Sequence, residues 1–353
     1  MFYLKYRPKS IDEIDNSLVK EKLKKILSTN QFPHALLLAG PKGTGKTSTA
    51  RIIAKVVNCK KVNFPNKDIV NPCNECDSCK AIDNSTSPDV VEIDAASNRG
   101  IEEIKKLIKE SSFIPMISRY RIFIIDEAHM ITNEGFNAFL KTLEEPPKSV
   151  IFILATTNPE KIPTTIRSRT TIINFGKANK NDIIHMLKRI VNKENLNVSE
   201  EVLNLIAEQS ENSFRDATKI LEELTIQNIL TDVNQVKKYI GLSRSDFLSI
   251  LKTKNLKEIL SWIKEFEDNN GNFKNLIQDT LNQLHQILLV NNKVIDDQLE
   301  NNLNLTNKEI TYLMKLLLEA YREIKNSPIE SLPLEIAMVQ YYNYLKDIDN
   351  QEH

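Results

Sequence analysis

The stretch Gly40-Pro41-Lys42-Gly43-Thr44-Gly45-Lys46-Thr47 constrains this chain more than any other. It fits G-x-x-x-x-G-K-[ST], a loop whose backbone N–H groups cradle phosphate. The preceding run Ala35-Leu36-Leu37-Leu38-Ala39 is short, apolar and bounded by Gly and Pro, which predicts a buried parallel strand. Ala50, Ile53, Ala54 and Val57 then recur at helical spacing, so the loop stands between a strand and a helix N-terminus. Gly43 and Gly45 let consecutive amides turn toward one point, and the helix dipole adds partial positive charge there. A polyphosphate is the natural occupant, with Gly40 through Ser48 as its binding run. Lys46 would reach the β- and γ-phosphates and the Thr47 hydroxyl would hold Mg²⁺. A Gly-rich turn that matches by chance is the bland alternative, and the strand-helix setting argues against it.

At 353 residues the chain has room for two or three domains. Its 41% hydrophobic and 27% charged content is that of a soluble globular protein. Lys+Arg and Asp+Glu balance at 47 each, so any nucleic-acid contact must come from local arrangement. No apolar run reaches membrane-spanning length, and Met1-Phe2-Tyr3-Leu4-Lys5 does not open a signal peptide. The expected location is cytoplasmic, with no membrane partner.

The segments after the loop alternate as an α/β domain should. Val90-Val91-Glu92-Ile93 reads as a strand, Ile101, Ile104 and Ile108 mark a helix face, and Ile122-Phe123-Ile124-Ile125 is a second buried strand. Asp126 and Glu127 follow at its carboxyl end, where open parallel sheets bind ligands. Asp126 is placed to hold Mg²⁺ and Glu127 to polarise an attacking water. Asp126-Glu127-Ala128-His129 also spells a helicase signature, but no second ATPase-like domain with further Arg motifs follows residue 176. A helix with Phe136, Leu140 and Leu143 on one side stops at Pro146-Pro147. The strand Val150–Leu154 ends in Ala155-Thr156-Thr157-Asn158, where the Thr157 hydroxyl is either a strand-end cap or a contact to the γ-phosphate and water. Arg169, in Ile166-Arg167-Ser168-Arg169-Thr170, is either a solvated charge or an arginine finger.

All four cysteines lie in one window, Cys59, Cys73, Cys76 and Cys79. Three thiolates on a C-x-x-C-x-x-C knuckle, joined by Cys59 from the end of the preceding helix, suit a closed structural Zn²⁺ site. An iron-sulfur cluster shares the run, but its fourth cysteine would not stand upstream. Disulfides do not suit a cytoplasmic chain.

From about residue 177 the periodicity is helical. Ile183, Leu187, Ile190 and Val191 share one face, and Val202, Leu205 and Ile206 another. Ser213-Phe214-Arg215-Asp216 has a capping-box pattern that puts Arg215 in a first helical turn, useful only if this region folds over a nucleotide. Beyond Gly241, further faces carry Ile259, Ile263 and Phe266, then Phe273, Ile277, Leu284 and Leu288. Thr306-Asn307-Lys308-Glu309 caps a helix carrying Ile310, Leu313 and Leu317. These faces suggest packing or assembly, with Trp262 in a core. The expected divisions are 1–176 for nucleotide binding with a metal module at about 58–80, 177–241, and 242–353.

With these parts assembled, the chain resembles the gamma/tau ATPases of bacterial DNA polymerase III clamp loaders, within the AAA+ superfamily. The matching stretches are Tyr6-Arg7-Pro8, His34-Ala35, the phosphate loop, the four cysteines, Glu92 to Ser97, Ile125-Asp126-Glu127, Phe136 to Pro147, Leu154-Ala155-Thr156-Thr157 and Ser213-Phe214-Arg215-Asp216-Ala217. The cysteine insertion discriminates most, since related clamp-loader ATPases of archaea and eukaryotes lack it. The implied fold is an α/β AAA+ parallel-sheet domain with a zinc insertion, a small helical lid and an all-α collar. The resemblance makes Arg169 an arginine reaching the ATP of a neighbouring subunit, Arg215 a sensor of phosphate in its own subunit, and Thr157 the first sensor. Tyr6, Arg7 and Pro8 would flank the adenine and ribose. Thr170 replaces the family's motif cysteine and Asn212 the glycine usual before Ser213; neither removes an arginine. The short length resembles the gamma-like form.

The resemblance implies an Mg²⁺-dependent ATP hydrolase, binding ATP or ADP, that loads a sliding clamp onto primed DNA with delta- and delta-prime-type subunits and further copies of itself. Ser97, Asn98 and Arg99, before a helix start, are candidate contacts to primer-template DNA or else a simple helix cap. A nucleotide-binding assembly subunit that does not hydrolyse is the rival, although Glu127 and Arg169 are both present.

Overall fold

In the computed structural model, residues are described throughout except 30–31, 63, 65–70, 98–99, 240–244, 253–254, 269–270, 293, 295–304 and 350–353. Five parallel strands form one sheet in the order β2-β3-β4-β1-β5. They are β1 (Ala35–Ala39), β2 (Val90–Asp94), β3 (Arg121–Asp126), β4 (Val150–Thr156) and β5 (Thr171–Asn174). Every residue of β1 and β4 is buried, as expected of parallel strands covered on both faces.

Alternation along the strands divides the core in two. Leu36, Leu38, Ile122, Ile124, Ile151 and Ile153 pack on one side with α2 (Ser17–Leu27) and α3 (Lys46–Asn58). Leu37, Phe123, Ile125, Phe152 and Leu154 pack on the other with α5 (Ile101–Ser111) and α6 (Asn133–Glu144). Short helix α1 (Phe2–Lys5) precedes these elements in the chain, and α4 (Asp77–Asp83) and α7 (Thr164–Arg167) fall between them. Next come α8 (Lys180–Glu194), α9 (Glu200–Gln209) and α10 (Phe214–Ile226).

The chain divides into two compact units, Met1–Val233 and Asn234–His353. The sheet and the helices through α10 thus belong to one unit. The second holds α12 (Ser245–Lys252), α13 (Leu256–Asp268), α14 (Phe273–Asn291), α15 (Asn307–Glu323) and α16 (Leu332–Asp349), after α11 (Val233–Tyr239) at the division. Its core joins Ile259, Ile263, Phe273, Ile277, Leu284, Ile310, Leu313 and Leu317. Trp262 stacks on Phe266 at 5.1 Å between centroids, a core role. Thr306 and Glu309 form the reciprocal cap on α15.

Three helix faces are rotated from their expected centres. Leu107 is buried while Ile101 and Ile108 are half-buried; Phe139 is buried more than Leu140, and Leu203 more than Leu205. A buried helical stripe spans i, i+3, i+4 and i+7, so a few apolar positions leave its centre ambiguous.

Asp89 shows how a polar residue sets a loop. Its fully buried carboxylate accepts from the N–H groups of Met116 at 2.6 Å, Ile117 at 2.9 Å and Ser118 at 2.8 Å. Burial pushes its pKa up, but the three amides outweigh that and hold it below the ordinary carboxylate value. Asp89→Ala, which orphans three donors, is expected to cost about 2–4 kcal/mol in urea unfolding of the first unit. Because the folded pKa is depressed, the wild-type advantage is full above pH ~4 and shrinks as pH falls through the lower folded value. An unchanged midpoint at pH 7 would show that water replaces the carboxylate at no cost.

Candidate nucleotide-binding site

The phosphate loop leaves the carboxyl end of β1 and enters α3 through Gly45, whose φ of +95° is left-handed. Gly43 is left-handed too, at φ +77°, and a Cβ there would stand 2.0 Å from the Ser213 hydroxyl at the start of α10. The Arg215 N–H also faces the Gly43 carbonyl at 3.4 Å, so the loop and α10 meet at backbone distance. Between them opens a cavity of about 240 Å³. Lys42, Gly43, Thr44, Gly45, Lys46, Thr47 and Ser48 line its loop side, with Asp126 and Glu127 from the end of β3. Tyr6, Arg7 and Pro8 line it from the N-terminal segment, and Arg215 from α10.

The charged groups rest on partners within the protein. The Lys46 ammonium donates to the carbonyls of Gly40 at 2.8 Å and Pro41 at 2.7 Å. Burial pulls its pKa down, against Glu127 and Asp126, which raise it. The Thr47 hydroxyl donates to Asp126 at 2.6 Å. That pairing brings two hard oxygen ligands together, a fit for Mg²⁺. Glu127 has φ +47°, a backbone region costly for a residue with a side chain. It accepts from the Thr157 hydroxyl at 3.1 Å, and His129 Nδ1 lies 3.3 Å from the same oxygen. Arg7 is half-buried, and burial beside the like charge of Arg51 pulls its pKa down.

The second site lies at the other end of α3. The Sγ atoms of Cys59, Cys73, Cys76 and Cys79 all lie within 4.8 Å of one another. Tetrahedral zinc with Zn–S bonds of ≈ 2.3 Å needs sulfurs about 3.8 Å apart, so the set fits. Backbone amides of Glu75 and Cys76 point at the Cys73 sulfur. Burial pushes the Cys79 thiol up, with Cys76 adding to the effect. At Cys76 burial is outweighed by the N–H groups of Cys79 and Lys60 and by the thiols of Cys79 and Cys73, bringing it down to about 6. The module is moored by Lys55, fully buried, to Asp83 and Asn74 at 2.8 Å each. Arg119 donates to the carbonyls of Cys59 and Val62.

A family model described as DNA polymerase III, delta subunit, matches residues 15–179. The DNA polymerase III subunit gamma of Buchnera aphidicola subsp. Baizongia pistaciae is 33% identical, covering 96% of this chain and 95% of that protein. The chain belongs to the DNA polymerase III gamma/tau family. The tau subunit of Bacillus subtilis is 38% identical over 81% of this chain, and the gamma/tau subunit of Mycoplasma genitalium 33% identical over 90%. The chain spans about half the length of those two relatives, 51% and 55%. RuvB of Thermotoga maritima aligns with a TM-score of 0.48 at 21% identity, over 70% of this chain and 78% of that one, and carries no weight beside these relatives.

Against the motifs of the gamma/tau family, some expected residues converge and others do not. Lys46, Thr47, Asp126, Glu127, Arg215, Tyr6, Arg7 and Pro8 share the cavity, and Thr157 reaches it through Glu127. Arg169 does not: it is one-third exposed and pairs with Glu144 at 2.5 Å. Ser97 is exposed on a turn, and Asn98 and Arg99 lie outside the described residues. Asn212, where the family has glycine, takes φ +59°, a conformation Asn tolerates better than most side chains. Sequence reasoning missed Tyr3, Asp15, Met186, Phe214 and Thr218 in the cavity wall. Met186 and Phe214 carry an apolar signal that reads as core, and a lone Asp15 carries none. No helix among the described residues is long and apolar enough to cross a membrane.

Proposed function

We propose that this chain is an Mg²⁺-dependent ATPase subunit of a DNA polymerase III clamp loader. It opens a ring-shaped sliding clamp and releases it onto primer-template DNA. The observation that carries the reading is the convergence of Lys46, Thr47, Asp126, Glu127 and Arg215 on one cavity. Incoming phosphate would take the Lys46 ammonium from the Gly40 and Pro41 carbonyls it now holds. Thr47 and Asp126 would hold Mg²⁺, which when bound neutralises charge on the β- and γ-phosphates. Glu127 polarises the attacking water, Thr157 orients it, and Arg215 contacts phosphate from the lid. Arg169, outside the cavity and reachable from solvent, serves the nucleotide of an adjoining subunit. Residues 1–176 then bind nucleotide, 177–241 form the lid, and 242–353 the collar that assembles with delta- and delta-prime-type subunits and with further copies of this chain. The four thiols hold structural Zn²⁺, and the protein works in the cytoplasm. Ser97, Asn98 and Arg99 are assigned to DNA.

The competing reading is a nucleotide-binding scaffold without turnover. The presence of Glu127 and Arg169 favours the motor. ATP turnover of the chain assembled with its partner subunits, with and without clamp and primed DNA, separates the two. Turnover stimulated by clamp and DNA, and lowered about 10³-fold or more by Arg169→Ala with ATP still bound, is expected of a finger acting in trans. Bound nucleotide with no stimulated turnover would leave the scaffold.

A further inference from the structure

Arg215, at the start of α10, has a fixed backbone and a long side chain. Its N–H meets the Gly43 carbonyl at 3.4 Å, which sets its Cα against the phosphate loop. The guanidinium is anchored less firmly: the residue is exposed, and among the described residues no carboxylate or carbonyl oxygen accepts from it. Arg7, in the same cavity wall, repels it. The Arg7 pKa is pulled down first by burial and then by like charges, Arg51 and Arg215 among them. A flexible cation with a like charge nearby and solvent within reach would swing away from the cavity unless something held it.

What meets the guanidinium is an aromatic ring. Its central carbon stands over Tyr3, 5.0 Å from the ring centroid, and Tyr3 lines the cavity as Arg215 does. At that distance the quadrupole of the ring attracts a cation. The kind of partner matters, because a carboxylate would neutralise Arg215 and compete with phosphate for its N–H donors. A ring does neither. Tyr3 is itself tied to the helices that follow the sheet: α1, which carries it, ends at Lys5, and the Lys5 ammonium and Tyr6 hydroxyl both donate to Glu194 on α8, at 2.6 and 2.5 Å.

We propose that Tyr3 is the positioning residue for Arg215: its ring holds the guanidinium at the cavity before any phosphate arrives, and leaves the N–H donors unpaired. The proposal rests on the ATP reading of the cavity and adds the group that readies Arg215 for it. Preorganisation of this kind raises affinity by removing side-chain freedom in advance, with no new contact to the ligand.

The test measures dissociation constants of the full chain for ATP by competition with a fluorescent nucleotide. Tyr3→Phe, which keeps the ring, should bind within about twofold of the wild type. Tyr3→Leu and Tyr3→Gln, which lack a ring, should each weaken ATP about three- to fivefold, the worth of a cation–π contact at an exposed site. In an Arg215→Met background, where ATP is already weakened, adding Tyr3→Leu should cost less than about 1.5-fold more, because the two residues act as a unit. A ring that touched the ligand directly, or served only the fold, would cost the same factor with or without Arg215. That additive result, or ATP binding unchanged or tightened in both ring-less variants, overturns the proposal while leaving the ATP reading intact. Arg215→Met binding as tightly as the wild type would take Arg215 away from the phosphates, and the proposal with it. Failure of the wild type to bind ATP overturns the reading of the cavity itself.

Discussion

Glu127→Gln is expected to lower ATP turnover by about 10² to 10⁴-fold, the range of a positioned general base, while the chain still binds ATP. The substitution is nearly isosteric, and an amide oxygen can still accept from the Thr157 hydroxyl that now meets Glu127 at 3.1 Å. Lys46, Thr47 and Asp126, the groups proposed for phosphate and Mg²⁺, are untouched. What is lost is the capacity to take a proton from water. The backbone strain at Glu127, φ +47°, supports this assignment, because such strain persists where the surroundings over-determine a side chain's position. Single-turnover hydrolysis in the assembled complex, beside equilibrium ATP binding, separates chemistry from affinity. Turnover within a few-fold of wild type would move the base elsewhere, and a parallel loss of binding would make Glu127 structural.

The second large effect is expected from Cys79→Ser. Cys79 is fully buried and its sulfur sits 4.0 Å from that of Cys73. Structural zinc sites in small modules are worth ~10–16 kcal/mol of apparent binding free energy, and removing one of four ligands forfeits much of that. The variant should lose its zinc, about one ion per chain in the wild type, and residues near 58–80 should become the first site of proteolysis. Metal analysis with limited proteolysis checks both. A wild type that carries iron with sulfide, or that stays metal-free and protease-resistant when supplied with zinc, would overturn the assignment.

The buried strands and the phosphate loop were legible in sequence because their constraints are local. An apolar run with Gly beyond it suits few other structures, and Asp126 follows its strand directly. The cysteines were legible for a similar reason, since three of them share a short knuckle. Asp15 was not, because its partner Arg189 lies 174 residues away, and nothing near Asp15 in sequence marks that pairing. Arg169 and Thr157 are intermediate cases. Their motifs are recognisable, but the ion pair with Glu144 and the hydrogen bond to Glu127 depend on tertiary approach. The rotated faces of α5, α6 and α9 show the same limit at smaller scale, because burial of a helix depends on the surface it meets.

Helix α3 begins with Lys46, which closes the phosphate loop, and runs to Asn58, immediately before Cys59. Asn58 is pinned through both ends of its amide to Tyr120, each bond 2.9 Å. The helix is therefore a strut of roughly 20 Å, at 1.5 Å per residue, built in at both ends. Rotation or sliding of such a rod would break the Asn58–Tyr120 bonds at its far end. A displacement at the phosphate loop is therefore expected to be carried along this helix toward the cysteine cluster instead of being absorbed within it.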